Sequence, residues 1–125
     1  MKRDEFVKKV QGKAQLSNRD EAIWISDTVL KTLSERLTEK EAFDLASQLP
    51  QELKGLVGGA KEKIIKMDSQ EFVRRVAELL EITPEEAERY IKATFSVLKS
   101  AISPGEIKDV LAQLPEDLAG MLAQA

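Results

Sequence analysis

The chain has 125 residues, 42% of them hydrophobic and 33% charged, with 19 basic and 22 acidic side chains and a net charge of −3. That balance suits one ordinary folded domain and speaks against disorder. With no cysteine and no histidine, disulfides, thiolate chemistry, cysteine-ligated zinc and an imidazole base are excluded together.

Eight helices are predicted in chain order, at about 3–14, 19–37, 39–48 and 50–57, then about 69–81, 84–102, 104–113 and 115–123. The first holds Glu5-Phe6-Val7 and Val10. Ser17-Asn18-Arg19-Asp20 loosely caps the second, whose apolar stripe is Ala22, Ile25, Val29, Leu33 and Leu37. Thr38-Glu39-Lys40-Glu41 has the hydroxyl and third-position carboxylate of a capping box. Pro50 cannot lie inside a helix, so it ends one or opens the next.

The segment around Gly58-Gly59, with the following Lys61–Lys66, reads as a joint. Past it, Asp68-Ser69-Gln70-Glu71 is another loose cap, and Thr83-Pro84-Glu85-Glu86 is a capping box with proline at the first helical position. Ala87, Ile91, Leu98 and Ile102 form the next stripe, Ser103-Pro104-Gly105-Glu106 repeats the box, and Pro115 repeats Pro50. Nowhere does a sustained period of two appear.

The two runs of four helices say nearly the same thing. Gln48-Leu49-Pro50-Gln51-Glu52-Leu53 returns as Gln113-Leu114-Pro115-Glu116-Asp117-Leu118, and at the same displacement Ala22, Leu33, Glu41 and Asp44 meet Ala87, Leu98, Glu106 and Asp109. Glu5-Phe6-Val7 and Val10 meet Glu71-Phe72-Val73 and Val76 one residue further on, which places a gain or loss near Asn18. An internal repeat fixes architecture before anything else. The expected fold is therefore all-α, a single domain over 1–125 made of two tandem pseudo-symmetric repeats, 1–57 and 68–123, joined by 58–67. Each half alone is short for a stable core, so a shared core is expected.

Chemistry is harder to find. Gly55-Leu56-Val57-Gly58-Gly59-Ala60-Lys61-Glu62 superficially resembles a phosphate-binding loop, but Ala60 stands for the second glycine and Glu62 for the magnesium-binding hydroxyl. Ser96-Val97-Leu98-Lys99 fits Ser-x-x-Lys, a pattern too short to carry catalysis without companion motifs. Glu85-Glu86 and Glu116-Asp117 fall in first helical turns, where the helix dipole accounts for them. No spacing sets two acids at a controlled distance across a cleft. No catalytic residue, cofactor or metal ligand is assigned; any metal site would rest on carboxylates alone, which suit hard cations.

Positions where the halves disagree are more informative. Ile23, Trp24 and Phe43 stand opposite Glu88, Arg89 and Lys108. Trp24 lies about 200° round its helix from Ala22, off the main stripe. These three residues are the candidate partner contact, either for a second subunit or for another protein; packing against the second half or the chain termini is the competing reading.

The motifs together resemble the domain-of-unknown-function 2267 family of bacteria and archaea. The resemblance covers almost the whole chain and rests on Glu-Phe-Val near each repeat start, Thr83-Pro84-Glu85-Glu86-Ala87, and Gln-Leu-Pro-x-x-Leu near each repeat end. It implies an all-α fold of two similar halves with no established activity and no catalytic residues. Residues 3–37 also resemble the opening two helices of the bacterial histone-like (HU) DNA-bending proteins, through the Leu16-Ser17 turn between a short and a longer helix. The strand and arginine-rich arm that grip DNA are absent.

The function expected is therefore a non-enzymatic, cytoplasmic protein–protein interaction or scaffold module, able to self-associate. Nucleic-acid binding through Lys8, Lys9, Lys61, Lys63 and Lys66 and carriage of a small apolar ligand between the halves are the alternatives. No run of about 18 apolar residues could span a membrane, and the acidic turn of Met1-Lys2-Arg3-Asp4-Glu5 precedes any signal-peptide core.

Overall fold

In the computed structural model, residues 1–58 and 64–125 are described. They form eight α-helices: α1 (Arg3–Lys13), α2 (Arg19–Arg36), α3 (Glu39–Ser47), α4 (Gln51–Val57), α5 (Ser69–Leu80), α6 (Pro84–Ala101), α7 (Pro104–Ala112) and α8 (Glu116–Ala123). No strand occurs among the described residues. Pro50 and Pro115 both open rather than end a helix. Each is the extended N-cap of the helix that follows, at φ −52° and −56°. The joint at Gly59, the phosphate-loop likeness beyond Gly58, and Lys61 and Lys63 lie outside the described residues.

Capping side chains start most helices where the sequence placed them. The Asn18, Thr38, Asp68, Thr83 and Ser103 side chains each accept the backbone N–H three residues on, satisfying a donor that no intrahelical carbonyl can reach. In the second helix the cap is Asn18, not Ser17. The left-handed residues Gln15 and Glu81, at φ 56° and 57°, close α1 and α5. The Leu16 and Ile82 amides reach back to the Gln11 and Ala77 carbonyls beside them, the pattern of a Schellman stop. These stops are 66 residues apart, whereas the caps Asn18 and Thr83 are 65 apart. Ser17 is therefore the extra residue of the first half.

Neither left-handed stop is a glycine, so each carries the Cβ strain that glycine avoids. Glu81→Gly should raise stability by about 0.5–1 kcal/mol, read as an increased urea midpoint at unchanged slope. A loss instead would show that the Glu81 side chain holds the turn.

One contiguous apolar cluster draws on both halves, including Phe6, Val10, Leu33, Leu45 and Leu53 with Phe72, Ile91, Phe95, Leu98 and Leu118. Helices of opposite halves touch directly: α1 packs on α6, α2 on α5 and α6, and α3 on α7. Polar bonds cross as well. Arg75 of α5 grips Glu35 of α2 through two charged hydrogen bonds, Nε to Oε1 at 2.9 Å and an Nη to Oε2 at 2.6 Å, the bidentate geometry only arginine offers. Asp117, at the start of α8, accepts the Ser69 backbone N–H at 3.0 Å and hydroxyl at 2.8 Å. Those bonds hold its carboxyl below the usual range, so Asp117 does more than complement a helix dipole.

Candidate functional site

The polar centre of the molecule is the crossing of α3 and α7. Three of the N-caps begin sequences of the capping-box type, yet only α6 completes the box. There Glu86 reaches back to the Thr83 N–H at 3.2 Å. At α3 and α7 the same backbone donors go to the opposite half: the Thr38 N–H donates to Gln113 Oε1 at 3.0 Å, and the Ser103 N–H to Gln48 Oε1 at 2.7 Å. Since Gln48 and Gln113 end α3 and α7, the two helices run antiparallel, each capped by the other's last residue. The glutamine of the recurring Gln-Leu-Pro sequence thus has a task, which is to cap its counterpart helix.

That exchange releases the third-position glutamates. The amides of Glu41 and Glu106 still donate to Thr38 Oγ1 and Ser103 Oγ, but their carboxylates are not needed at the caps. They turn inward, leaving Glu41 8% and Glu106 7% exposed. One oxygen of each carboxylate and one of Asp109 lie within 4.8 Å of one another. Glu41 Oε2 and Glu106 Oε1 are buried with no hydrogen-bond donor among the described residues. Burial, then a hydrogen bond to Glu41 and the charges of Glu41, Asp44 and Asp109, push the Glu106 carboxyl up to about 8. Two bare carboxylates this close do not both stay ionised cheaply, so the pair must share a proton or hold a cation. The sequence reading, which found no two acids set at a controlled distance across a cleft, did not anticipate this buried pair. The signal was present, because Glu41 and Asp44 meet Glu106 and Asp109 in the repeat, but it was absorbed into the capping assignment.

The three residues singled out as a partner contact are placed differently. Ile23 is half-buried; Trp24 and Phe43 are 49% and 67% exposed. Trp24 lines a groove with Thr28, Lys31 and Glu35 of α2 and Arg75 and Leu79 of α5. Phe43 borders another depression with Ala46, Ser47, Lys54, Gly55 and Gly58. The two aromatics therefore serve separate grooves. Leu79, itself 49% exposed, was missed; it falls beside Leu80 at the margin of the Phe72/Val76/Leu80 stripe.

Other sequence candidates resolve locally. Lys99 donates to oxygens of Ala123 and Ala125 at 2.9 and 2.8 Å, securing the end of α8 against α6; the Ser-x-x-Lys pattern thus has a structural use. Lys8, Lys9 and Lys66 are exposed, and Lys9 pairs with Glu5 at 3.7 Å. No helix among the described residues is long and apolar enough to cross a membrane.

The family model described as an uncharacterized conserved protein, DUF2267, matches residues 3–121. The chain belongs to the DUF2267 family. No curated protein matches it. The resemblance read from Glu-Phe-Val, Thr-Pro-Glu-Glu-Ala and Gln-Leu-Pro-x-x-Leu is thereby shown, as is the all-α fold it implied. In this DUF2267 chain the family-like sequence elements sit at structural joints: Phe6 and Phe72 in the core, Thr83 in its capping box, and Gln48 and Gln113 across the α3–α7 crossing.

Proposed function

We propose that this DUF2267 chain is a non-catalytic association module whose contact face is the groove between α2 and α5. The observation that carries the reading is the half-exposed pair Trp24 and Leu79, one from each half, beside the Arg75–Glu35 ion pair. Tryptophan and arginine are the side chains that most often dominate binding energy, because each joins a large contact area to a directed polar group. Fixing Arg75 against Glu35 before a partner arrives reduces the ordering cost of association. Phe43, in its separate depression, offers a second apolar contact on the same chain.

A non-enzymatic role is favoured by the character of the acid pair. Glu41 and Glu106 are more than nine-tenths buried, so a substrate would have to part α3 from α7 to reach them. With no histidine or cysteine in the sequence, an imidazole base and a thiolate nucleophile are missing as well.

Trp24 is the only tryptophan, so its emission reports on this groove alone. Emission should shift to the blue as the protein is concentrated or mixed with its partner, in step with the mass from light scattering. Trp24→Glu and Leu79→Glu should each abolish both changes while leaving the circular-dichroism spectrum helical. Association that survives both substitutions would remove the groove from consideration.

A further inference from the structure

We propose that Glu41, Glu106 and Asp109 form a binding site for one hard divalent cation, of the calcium or magnesium class, at the crossing of α3 and α7. Three carboxylate oxygens, one from each residue, converge within 4.8 Å of one another, a spacing that one cation can bridge at ordinary metal–oxygen distances of about 2.0–2.6 Å. An all-oxygen, all-anionic donor set selects hard cations over the transition metals that favour imidazole or thiolate.

Acidic residues gather on many surfaces for no purpose, but two of these are not on the surface. Glu41 and Glu106 are 8% and 7% exposed, and each has a buried oxygen, Oε2 and Oε1 respectively, that meets no donor among the described residues. An unpaired buried carboxylate oxygen is costly, and here there are two, on carboxylates that each bring an oxygen within 4.8 Å of the other. The surroundings deepen the deficit, since Asp44 and Asp109 add negative charge around Glu106. The capping arrangement supports the same conclusion. Gln48 and Gln113 occupy the backbone donors that would otherwise hold each glutamate at its own helix start, leaving both free to act as ligands. Asp109 is exposed, so the third donor stands at the rim, where a cation can enter and keep part of its water shell, as magnesium commonly does.

The site is independent of the Trp24 groove, and its test uses the whole chain. Protein stripped with a chelator is titrated with calcium, magnesium or manganese chloride at neutral pH and constant ionic strength, by isothermal calorimetry and by thermal unfolding. One cation per chain is expected. The melting temperature should rise by roughly 5 °C at about ten times the dissociation constant. Whichever ion binds most tightly identifies the class the site prefers. Asp109→Asn changes an exposed side chain and should weaken binding about tenfold or more without harming the fold. The paired change Glu41→Gln with Glu106→Gln neutralises the buried acids and should abolish binding. If the paired variant does not fold, Asp109→Asn decides the matter alone. Absence of one-to-one binding by the native chain at millimolar cation would overturn the proposal and leave a shared proton as the pair's resolution. A melting shift of undiminished size in Asp109→Asn would equally overturn it.

Discussion

In chelated buffer, the Glu106→Gln variant should be more stable than the parent chain at pH 9 and nearly equal to it at pH 4. An unfolded glutamate ionises near 4.5, whereas burial and the neighbouring acids lift Glu106 in the folded chain to about 8. Between those values the folded chain keeps a proton that the unfolded chain has already lost. Stability therefore falls as pH rises through that window. Below it both states are protonated and the group contributes no difference; above it both are ionised and the full repulsion and burial cost is felt. Glutamine has no charge to bury, and its amide can donate to Glu41. The advantage above pH 8 should be roughly 2–4 kcal/mol, measured by urea unfolding at several pH values. A difference that does not change with pH would place the effect in packing and not in charge.

The second large effect belongs to the core. Phe72→Ala should cost about 3–5 kcal/mol, because Phe72 is 1% exposed within the cluster shared by the two halves. That is a large part of the roughly 5–15 kcal/mol that holds a typical domain together. Trp24→Ala removes a larger side chain, yet Trp24 is 49% exposed, and the loss should stay below about 1 kcal/mol. Equilibrium unfolding of the two variants side by side checks the contrast. A Trp24 loss matching that of Phe72 would mean that the indole supports the fold and is not held ready for a partner.

The contrast marks where the sequence was legible. Helix limits were clear because hydroxyl caps and prolines act locally: Thr83-Pro84 favours a helix start through its own two residues, and the structure departs from the expected limits by about one residue. The angle of Trp24 on α2 set it off the main stripe but left open whether it packs against the second half or meets a partner; the structure leaves it 49% exposed. What could not be read were relations between distant segments. Arg75 and Glu35 are 40 residues apart, and nothing in either neighbourhood names the other. The glutamates are the sharper case. Glu41 and Glu106 each fit a capping box, and the box is the right reading for Glu86. They differ only because Gln113 and Gln48 arrive from the far half to take the backbone donors. A local rule was displaced by a crossing that only the folded chain creates.

The two glutamine bonds also have the form of an isologous contact, in which one surface meets a copy of itself with donor and acceptor exchanged. Such contacts are typical of twofold homodimers; here both copies lie on one polypeptide. In the folded chain each half finishes the other's helix start, Gln113 that of Thr38 and Gln48 that of Ser103. The described segments on either side of the joint are therefore each other's missing subunit. Severing the chain between them should leave two pieces that remain a stoichiometric pair.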